Sequence, residues 1–493
     1  MATTQAAKQD AARPGLYDAY GLYIDGKWTP AKDGATREVI DPATEESLGT
    51  IPVAGAADLD AALAAAKRGF EAWRRQSPWD RSKVLRRAAD LIRERSEAIA
   101  RVMSAESGKP LPESRAEMGG AADQFDWYAD ETRRLYGYTI EGRTQDVRMQ
   151  VRYEPVGVVA AFTAWNFPAV LPARKIAAAL GAGCSIILKP AEEAPGSCMM
   201  LAQALHDAGL VAGALNLVVG EPAVISEHLV RSPIVRKVSL TGSVPVGKKL
   251  LALAAEGVKR VTMELGGHAP VLVFDDADFE KAVDTCARTK FRNCGQVCIS
   301  PTRFYVQEGV YARFAEAFTK ITRSLKIGPG LEEGTQVGPM TNARGLGRVQ
   351  ALVDDARGRG ARVLTGGGRP AGFERGYYYE PTVLADVPDD AKVMVDEPFG
   401  PLAPLSRFST LDEVIGRANA LPYGLAGYVF SSSLKTATLA SEALEVGMVG
   451  VNEMLLAAAE APFGGIKESG MGREGGALGV RDYLEPKLIK TRL

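Results

Sequence analysis

Three features of the sequence predict an α/β fold built on parallel, doubly wound sheets. Short apolar runs alternate with helical stretches from Val156 to about Glu264: V-G-V-V-A-A-F, C-S-I-I-L-K, A-L-N-L-V-V and V-R-K-V-S-L each precede a turn and a helix. That βαβ rhythm makes a parallel sheet whose ligands sit beyond the carboxyl ends of its strands. A second βα-rich unit starts at His268, with P-V-L-V-F, T-R-F-Y-V, A-R-V-L-T, Y-V-F and V-G-V-N as its strands. Finally, 493 residues exceed one small core, so two or three structural units are expected.

In chain order, L-Y-I-D-G-K-W-T-P is a hairpin with Asp25-Gly26 at its turn. Residues 58–76 and 80–103 have helical periodicity; Asp80 is the expected N-cap, with Leu85, Ala88, Ala89 and Ile92 on one face. A third helix is expected over residues 114–135. Residues 139–154 alternate polar and apolar, as in a strand pair lying outside the main core. The closing D-Y-L-E-P-K-L-I-K has the same character, a terminal strand with few local partners.

Composition narrows the class. Hydrophobic residues make up 46% and charged residues 24%, and 59 Lys+Arg balance 60 Asp+Glu to a net charge of -1. No global field favours nucleic acid or membrane. Five cysteines without a C-x-x-C pair argue for free thiols in a reducing compartment. Three histidines without ligand spacing argue against a catalytic metal. The first fifteen residues lack an apolar core and read as a disordered lead-in, not a signal peptide. No apolar run approaches the ~18 residues of a bilayer span. A cytoplasmic enzyme is the expectation.

The chemistry gathers on F-R-N-C-G-Q-V-C-I-S-P-T-R, where Cys298 stands between a flexible glycine and an alternation of β-type residues (Thr302, Phe304, Val306). A thiolate presented there is a strong nucleophile; a lone cysteine is otherwise a small buried hydrophobe. Residues 470–475 satisfy G-x-G-x-x-G but follow no strand, so a dinucleotide fingerprint is rejected. G-S-V-P-V-G-K, from Gly242 to Lys248, nearly matches a P-loop, and V-L-V-F-D-D could serve as its partner strand. An NTPase is therefore the rival class. Lys249 stands where Ser or Thr must hold magnesium, and an ammonium cannot ligate a cation. The turn can still hold a pyrophosphate through backbone N–H groups and the helix dipole, or be an ordinary βα turn.

Seven motifs then occur in order: T-A-W-N-F-P, I-I-L-K-P-A-E, T-G-S, M-E-L-G-G, G-Q-V-C, E-P-F-G-P and P-F-G-G-I-K-E-S-G-M-G-R-E. Together the chain resembles the aldehyde dehydrogenase superfamily from about Tyr23 onward. The resemblance implies a Rossmann-like NAD-binding domain (1–136 and 156–267), an α/β catalytic domain (268–475) and a small β oligomerisation domain (137–155 and 476–493). It also implies a homodimer or homotetramer.

Residue by residue, the resemblance makes Cys298 the nucleophile. Asn166 and the Cys298 N–H form the oxyanion hole, Glu264 is the base that activates water, and Lys175 is a proton relay. Without it, Asn166 reads as a helix N-cap and Glu264 as a strand-end carboxylate paired to a surface cation. The implied cofactor contacts are Lys189 and Glu192 at the adenosine ribose, and Gly242 and Ser243 at the pyrophosphate. Glu397 falls at the nicotinamide ribose with Phe399 beside the ring and Trp165 on the adenosine side. Thr163, Gly220 and Leu265 complete the set. Glu192 accepts hydrogen bonds from ribose hydroxyls but repels a 2′-phosphate, so NAD is expected over NADP. Arg174 and Arg292 match two arginines that clamp a carboxylate in succinate-semialdehyde dehydrogenases, and two cations there would favour the thiolate. The chain departs from that subgroup in L-A-A-A-E (456–460), where a serine is usual, and at Ser300, where a second cysteine is common. A small carboxylated semialdehyde is the expected substrate; generic aliphatic, aromatic or hydroxy-aldehyde specificity is the alternative. Cys294 could react with Cys298 only if the loop bends, and His268 is expected to be neutral to function.

Overall fold

The computed structural model describes residues 16–493, so the reading of the first fifteen residues lies outside the described residues. The first sheet has eight strands. Its five central ones run parallel, in the order Leu215–Leu217, Ser185–Lys189, Val158–Phe162, Val235–Thr241, Arg260–Glu264. The first strand of this set therefore lies beside the fourth. The direction of winding reverses there, and a crevice opens at the carboxyl ends. The residues leaving those two strands are Thr163 to Asn166 and Gly242-Ser243.

A second sheet of seven strands repeats the plan around Ala269–Val273, flanked by Pro301–Gln307 and Ala426–Phe430. Pro301–Gln307 is buried along nearly its whole length, because it is a central parallel strand covered on both faces. The alternation read around Thr302, Phe304 and Val306 is thus not an in–out pattern. Each sheet has its own buried cluster, and a small third cluster of Phe167, Leu171 and Val297 sits near the thiol-bearing loop.

Asp25 (φ 53°) and Gly26 (φ 77°) make the left-handed turn between Leu22–Ile24 and Lys27–Thr29. Asp80 is not an N-cap. The helix starts at Pro78, the Ser77 hydroxyl accepts from the Asp80 N–H at 3.2 Å, and proline at N1 gives up no helical bond. The expected continuous helix to Met103 is interrupted at Arg95 (φ -101°, ψ 4°), giving Pro78–Glu94 and Ser96–Ser107. The third helix spans Leu111–Glu131 and begins directly after Pro110.

Gly470–Met471, inside the stretch assigned to the second unit, pairs antiparallel with Arg260–Glu264 at the edge of the first sheet. Val480, Tyr483 and Leu484, assigned to the terminal strand segment, enter the first core. From there Leu484–Arg492 pairs along its full length with Val147–Pro155, which in turn pairs with Tyr138–Glu141. This three-stranded sheet stands apart from the other two, with most of its terminal strand exposed. Among the described residues, no helix is long and apolar enough to cross a membrane.

Candidate active site

Two consecutive non-glycine residues in the left-handed region, Asn293 (φ 48°) and Cys294 (φ 54°), turn the chain toward Cys298. Such backbone is uncommon and must be held from outside. Glu113 accepts the Asn293 N–H at 2.8 Å, and the Asn293 amide donates to the Asn166 carbonyl at 3.0 Å. Gln296 closes the loop on both sides, donating to the Asn293 carbonyl at 3.1 Å and accepting from the Thr341 N–H at 3.0 Å. Gly295 (φ 71°) has no room for a side chain, since a Cβ there would stand 2.1 Å from the Gly400 carbonyl oxygen. The G-Q-V-C and E-P-F-G-P motifs are thereby locked against each other.

Among the five cysteines only Cys298 is partly exposed. Its thiol is pushed up to about 12, first by burial and then by the carboxylates of Glu397 and Glu264, with Arg174 opposing. This corrects the expectation of a cation-stabilised resting thiolate: desolvation outweighs the guanidinium. Cys294 points away, its Sγ 3.8 Å from the Met340 Sδ in the second core. Ser300 accepts from the buried Lys290 Nζ at 3.1 Å. His268 is a satisfied core histidine between the Thr302 hydroxyl (2.7 Å) and the Val393 carbonyl (3.2 Å).

Asn166 is not a helix cap. The helix Val170–Ala182 has no side-chain cap at Ala169; instead Glu117, ion-paired with the buried Lys109, accepts from the N–H groups of Ala169 (2.9 Å) and Val170 (3.1 Å). Lys109 also donates to the Asn166 carbonyl at 2.8 Å. The Asn166 amide donates to the Gln296 carbonyl at 3.1 Å, two residues before the thiol, and its oxygen has no partner.

Glu264 ends its strand inside the protein, and among the described residues neither carboxylate oxygen has a hydrogen-bond partner. It is not the surface-paired residue of the alternative reading. Burial, and next the nearby Glu474, push it well above the ordinary carboxylate range, while Lys175, Arg174 and Arg473 pull the other way. A Cβ at Gly464 would lie 2.7 Å from its Oε1, so the P-F-G-G glycine leaves that carboxylate room. Lys175 donates to Glu474 Oε1 at 2.5 Å and to the Ser239 hydroxyl at 2.9 Å. Glu474 closes the last of the seven motifs, and its signal in the sequence is an acidic side chain ending a glycine-rich run. Glu113, Glu117 and Lys109 carried no motif at all.

Lys189 and Glu192 form an ion pair at 2.5 Å, with Arg37 at 3.9 Å from the same carboxylate. The Thr163 N–H donates to the Lys189 carbonyl at 3.1 Å, and its buried hydroxyl lacks a partner. Gly220 (φ 142°) turns the chain after Leu215–Leu217. Ser243 occupies the N-cap position of Val244–Glu256 with its hydroxyl unused in capping. Leu265 packs on Gly247, where a Cβ would come within 2.5 Å of it.

Glu397 accepts the Gly267 N–H at 3.2 Å and is raised to about 7 by burial. Its Oε2 fills the space a Cβ at Gly266 would take, at 2.4 Å. Trp165 stands edge-on to Phe399 with centroids 5.4 Å apart, so the two rings share one wall, not opposite ends of the cofactor.

The crevice fits a dinucleotide by its donors. A helix N-terminus with a free hydroxyl faces the switch point, and carboxylates stand on either side for ribose hydroxyls. The P-loop reading fails on geometry: Lys248 reaches outward to Glu468 at 2.8 Å, and Val271 to Val273 belong to the other sheet.

Cys298, Arg174 and Arg292 line one cavity of about 670 Å³, walled by Phe167, Leu171 and Phe463. Residues 456–460 lie across it. Arg174 stacks over Phe463 at 4.4 Å and its Nε has no partner. Arg292 stands over Phe167 at 5.3 Å. Among the described residues, neither arginine makes an ion pair. Asn166 and Glu264 do not line this cavity.

A partly exposed thiol, a carboxylate whose charge is felt at that thiol, and an amide bonded to the loop two residues before it suit covalent attack on a carbonyl followed by hydrolysis. The aldehyde dehydrogenase family model matches residues 28–489. The chain is 45% identical to a glutarate-semialdehyde dehydrogenase of Pseudomonas putida over 95% of this chain and 96% of that one. It is 46% identical to a 3-sulfolactaldehyde dehydrogenase of Pseudomonas putida over the same shares. The structure of succinate-semialdehyde dehydrogenase from Burkholderia pseudomallei superposes with a TM-score of 0.94 at 43% identity, over 96% of this chain and 98% of that one. The protein belongs to the aldehyde dehydrogenase family, NAD(P)-dependent oxidoreductases acting on the aldehyde group.

Proposed function

We propose that the protein oxidises a small ω-carboxylated semialdehyde, succinate semialdehyde being the specific choice, to the dicarboxylic acid. The observation that carries this is the pair of cations, Arg174 and Arg292, on the wall of the thiol's cavity: neither makes an ion pair among the described residues, and the carboxyl that feels Arg292 is the buried Glu113 of the same wall. An unpaired, partly desolvated guanidinium is a strong site for an acid group. The relatives named for glutarate semialdehyde and sulfolactaldehyde also take aldehydes with an anionic end. Arg174→Ala and Arg292→Ala are expected to lower kcat/KM for succinate semialdehyde by about 10–100-fold, the loss of a charged hydrogen bond, while butanal is little affected. Equal losses on both aldehydes would refute the clamp. Generic specificity is the second reading, favoured by a cavity of about 670 Å³ with apolar walls.

In the proposed mechanism the partly exposed Cys298 thiol gives its proton to solvent water as Sγ bonds to the aldehyde carbon, and the carbonyl oxygen becomes an alkoxide. The Asn166 amide and the Cys298 N–H hold that alkoxide. Lys189, Glu192, Ser243 and Glu397 would hold NAD, which would supply the acceptor for the hydride lost by the carbon bonded to Sγ as that carbon becomes a thioester. Glu264 then takes a proton from water, which cleaves the Cys298 thioester and returns the thiol. Lys175 and Glu474, beside Glu264, relay that proton.

NAD is the preferred cofactor, because Glu192 occupies the ribose site as a carboxylate held by Lys189. A lower KM for NADP than for NAD would reverse this. The first sheet serves the cofactor and the second the catalytic thiol. The detached three-stranded sheet joins subunits, since it exposes Tyr138 (54%), Ile140 (42%) and Leu488 (59%). A monomeric mass in solution would exclude that last role.

A further inference from the structure

We infer that Gln124 is a specificity-determining residue, its carboxamide binding the anionic end of the substrate beside Arg174. Gln124 lies on the helix Leu111–Glu131, is 2% exposed and lines the same cavity as Cys298 and Arg174. Its Oε1 has no hydrogen-bond partner among the described residues. Buried polar atoms are nearly always paired, so an unpaired carboxamide in a cavity wall asks for a group that the chain itself does not supply.

The packing sets Gln124 level with Arg174. Leu111–Glu131 and Val170–Ala182 lie side by side in the same direction: Glu117 meets Ala169 and Val170 at one end, and a Cβ on Gly181 would meet Thr132 Oγ1 at 2.7 Å at the other. Gln124 falls seven residues after Glu117, beside the turn that carries Arg174. The Arg174 Nε also lacks a partner. Two residues on adjacent helices, one cationic and one neutral, thus line one cavity, each with a sealed, unpaired polar atom.

The Gln124 NH2 makes no side-chain hydrogen bond among the described residues and, unlike Oε1, is not sealed from solvent, so it is the donor that the carboxamide offers the cavity. A carboxylate is acceptor-only, and between a guanidinium and an NH2 it has a donor for each oxygen. A neutral donor adds direction without adding charge to a cavity whose lining holds Arg174 and Arg292 together with Glu113, Glu117, Asp123 and Glu460. This assignment rests on the semialdehyde reading above.

The test is steady-state kinetics of Gln124→Met and Gln124→Glu with succinate semialdehyde, glutarate semialdehyde and butanal. Gln124→Met keeps length and helix preference but removes the hydrogen bond. Its kcat/KM for both semialdehydes should fall about 10-fold or more through KM, with butanal within about two-fold. Gln124→Glu should fall further on the semialdehydes, because a carboxylate repels the substrate, and again spare butanal. Parallel losses on all three aldehydes, or an unchanged ratio in both variants, would overturn the assignment. Arg174→Ala run alongside separates the two ideas. If it lowers the semialdehyde-to-butanal ratio and the Gln124 variants do not, only the role of Gln124 falls. If the ratio is unmoved by all of them, the semialdehyde reading falls with it.

Discussion

Cys298→Ala is expected to lose aldehyde-dependent NADH formation by at least ~10³-fold, with the fold and cofactor affinity retained. No other thiol can substitute. Cys184, Cys198, Cys286 and Cys294 are all buried, and Cys294 is turned toward Met340. The same geometry predicts the pH course of alkylation. With the thiol at about 12, the thiolate fraction rises tenfold per pH unit through the neutral and mildly alkaline range. Iodoacetamide should therefore label one cysteine, at a rate climbing steadily with pH. A labelling rate that levels off near pH 7 would mean a resting thiolate, and would contradict the dominance of burial over the Arg174 charge. Activity surviving in the alanine variant would remove the covalent mechanism altogether.

Glu264→Gln is expected to separate the two halves of the reaction. Acylation of Cys298 still proceeds, so one equivalent of NADH per active site appears in a burst. The thioester then persists, and the steady-state rate falls by about 10²–10⁴-fold, the usual contribution of a positioned base. The carboxyl of Glu264 is raised by burial and by Glu474, so it holds its proton at low pH and becomes an effective base only as pH increases. Hydrolysis in the unsubstituted protein should accelerate with pH through that ionisation, and the glutamine variant should lose this limb. An unchanged pH profile, or the absence of a burst, would assign the base elsewhere.

Much of the site was legible because its chemistry is written in short segments. G-Q-V-C, M-E-L-G-G and T-A-W-N-F-P each place a reactive group next to residues that must turn or end a strand, so resemblance could attach roles to Cys298, Glu264 and Asn166. Local readings failed where two signals competed within one turn. Asp80 and Ser77 are both good N-caps, and Pro78 decided for Ser77 because proline is at home in the first helical position. The alternation near Thr302 and Phe304 could not reveal a strand covered on both faces, since burial on the second face comes from helices remote in sequence.

The sequence by itself determined the βαβ plan, the order of the motifs and the identity of the thiol, carboxylate and amide, because each depends on residues within a few positions of one another. Only the tertiary structure decided the state of those groups and the company they keep. It raised the Cys298 thiol, paired Lys175 with Glu474, set Trp165 against Phe399 and left Arg174 and Gln124 unpaired in one wall. Desolvation and pairing are properties of the space around a side chain, and that space is enclosed by segments far apart along the chain.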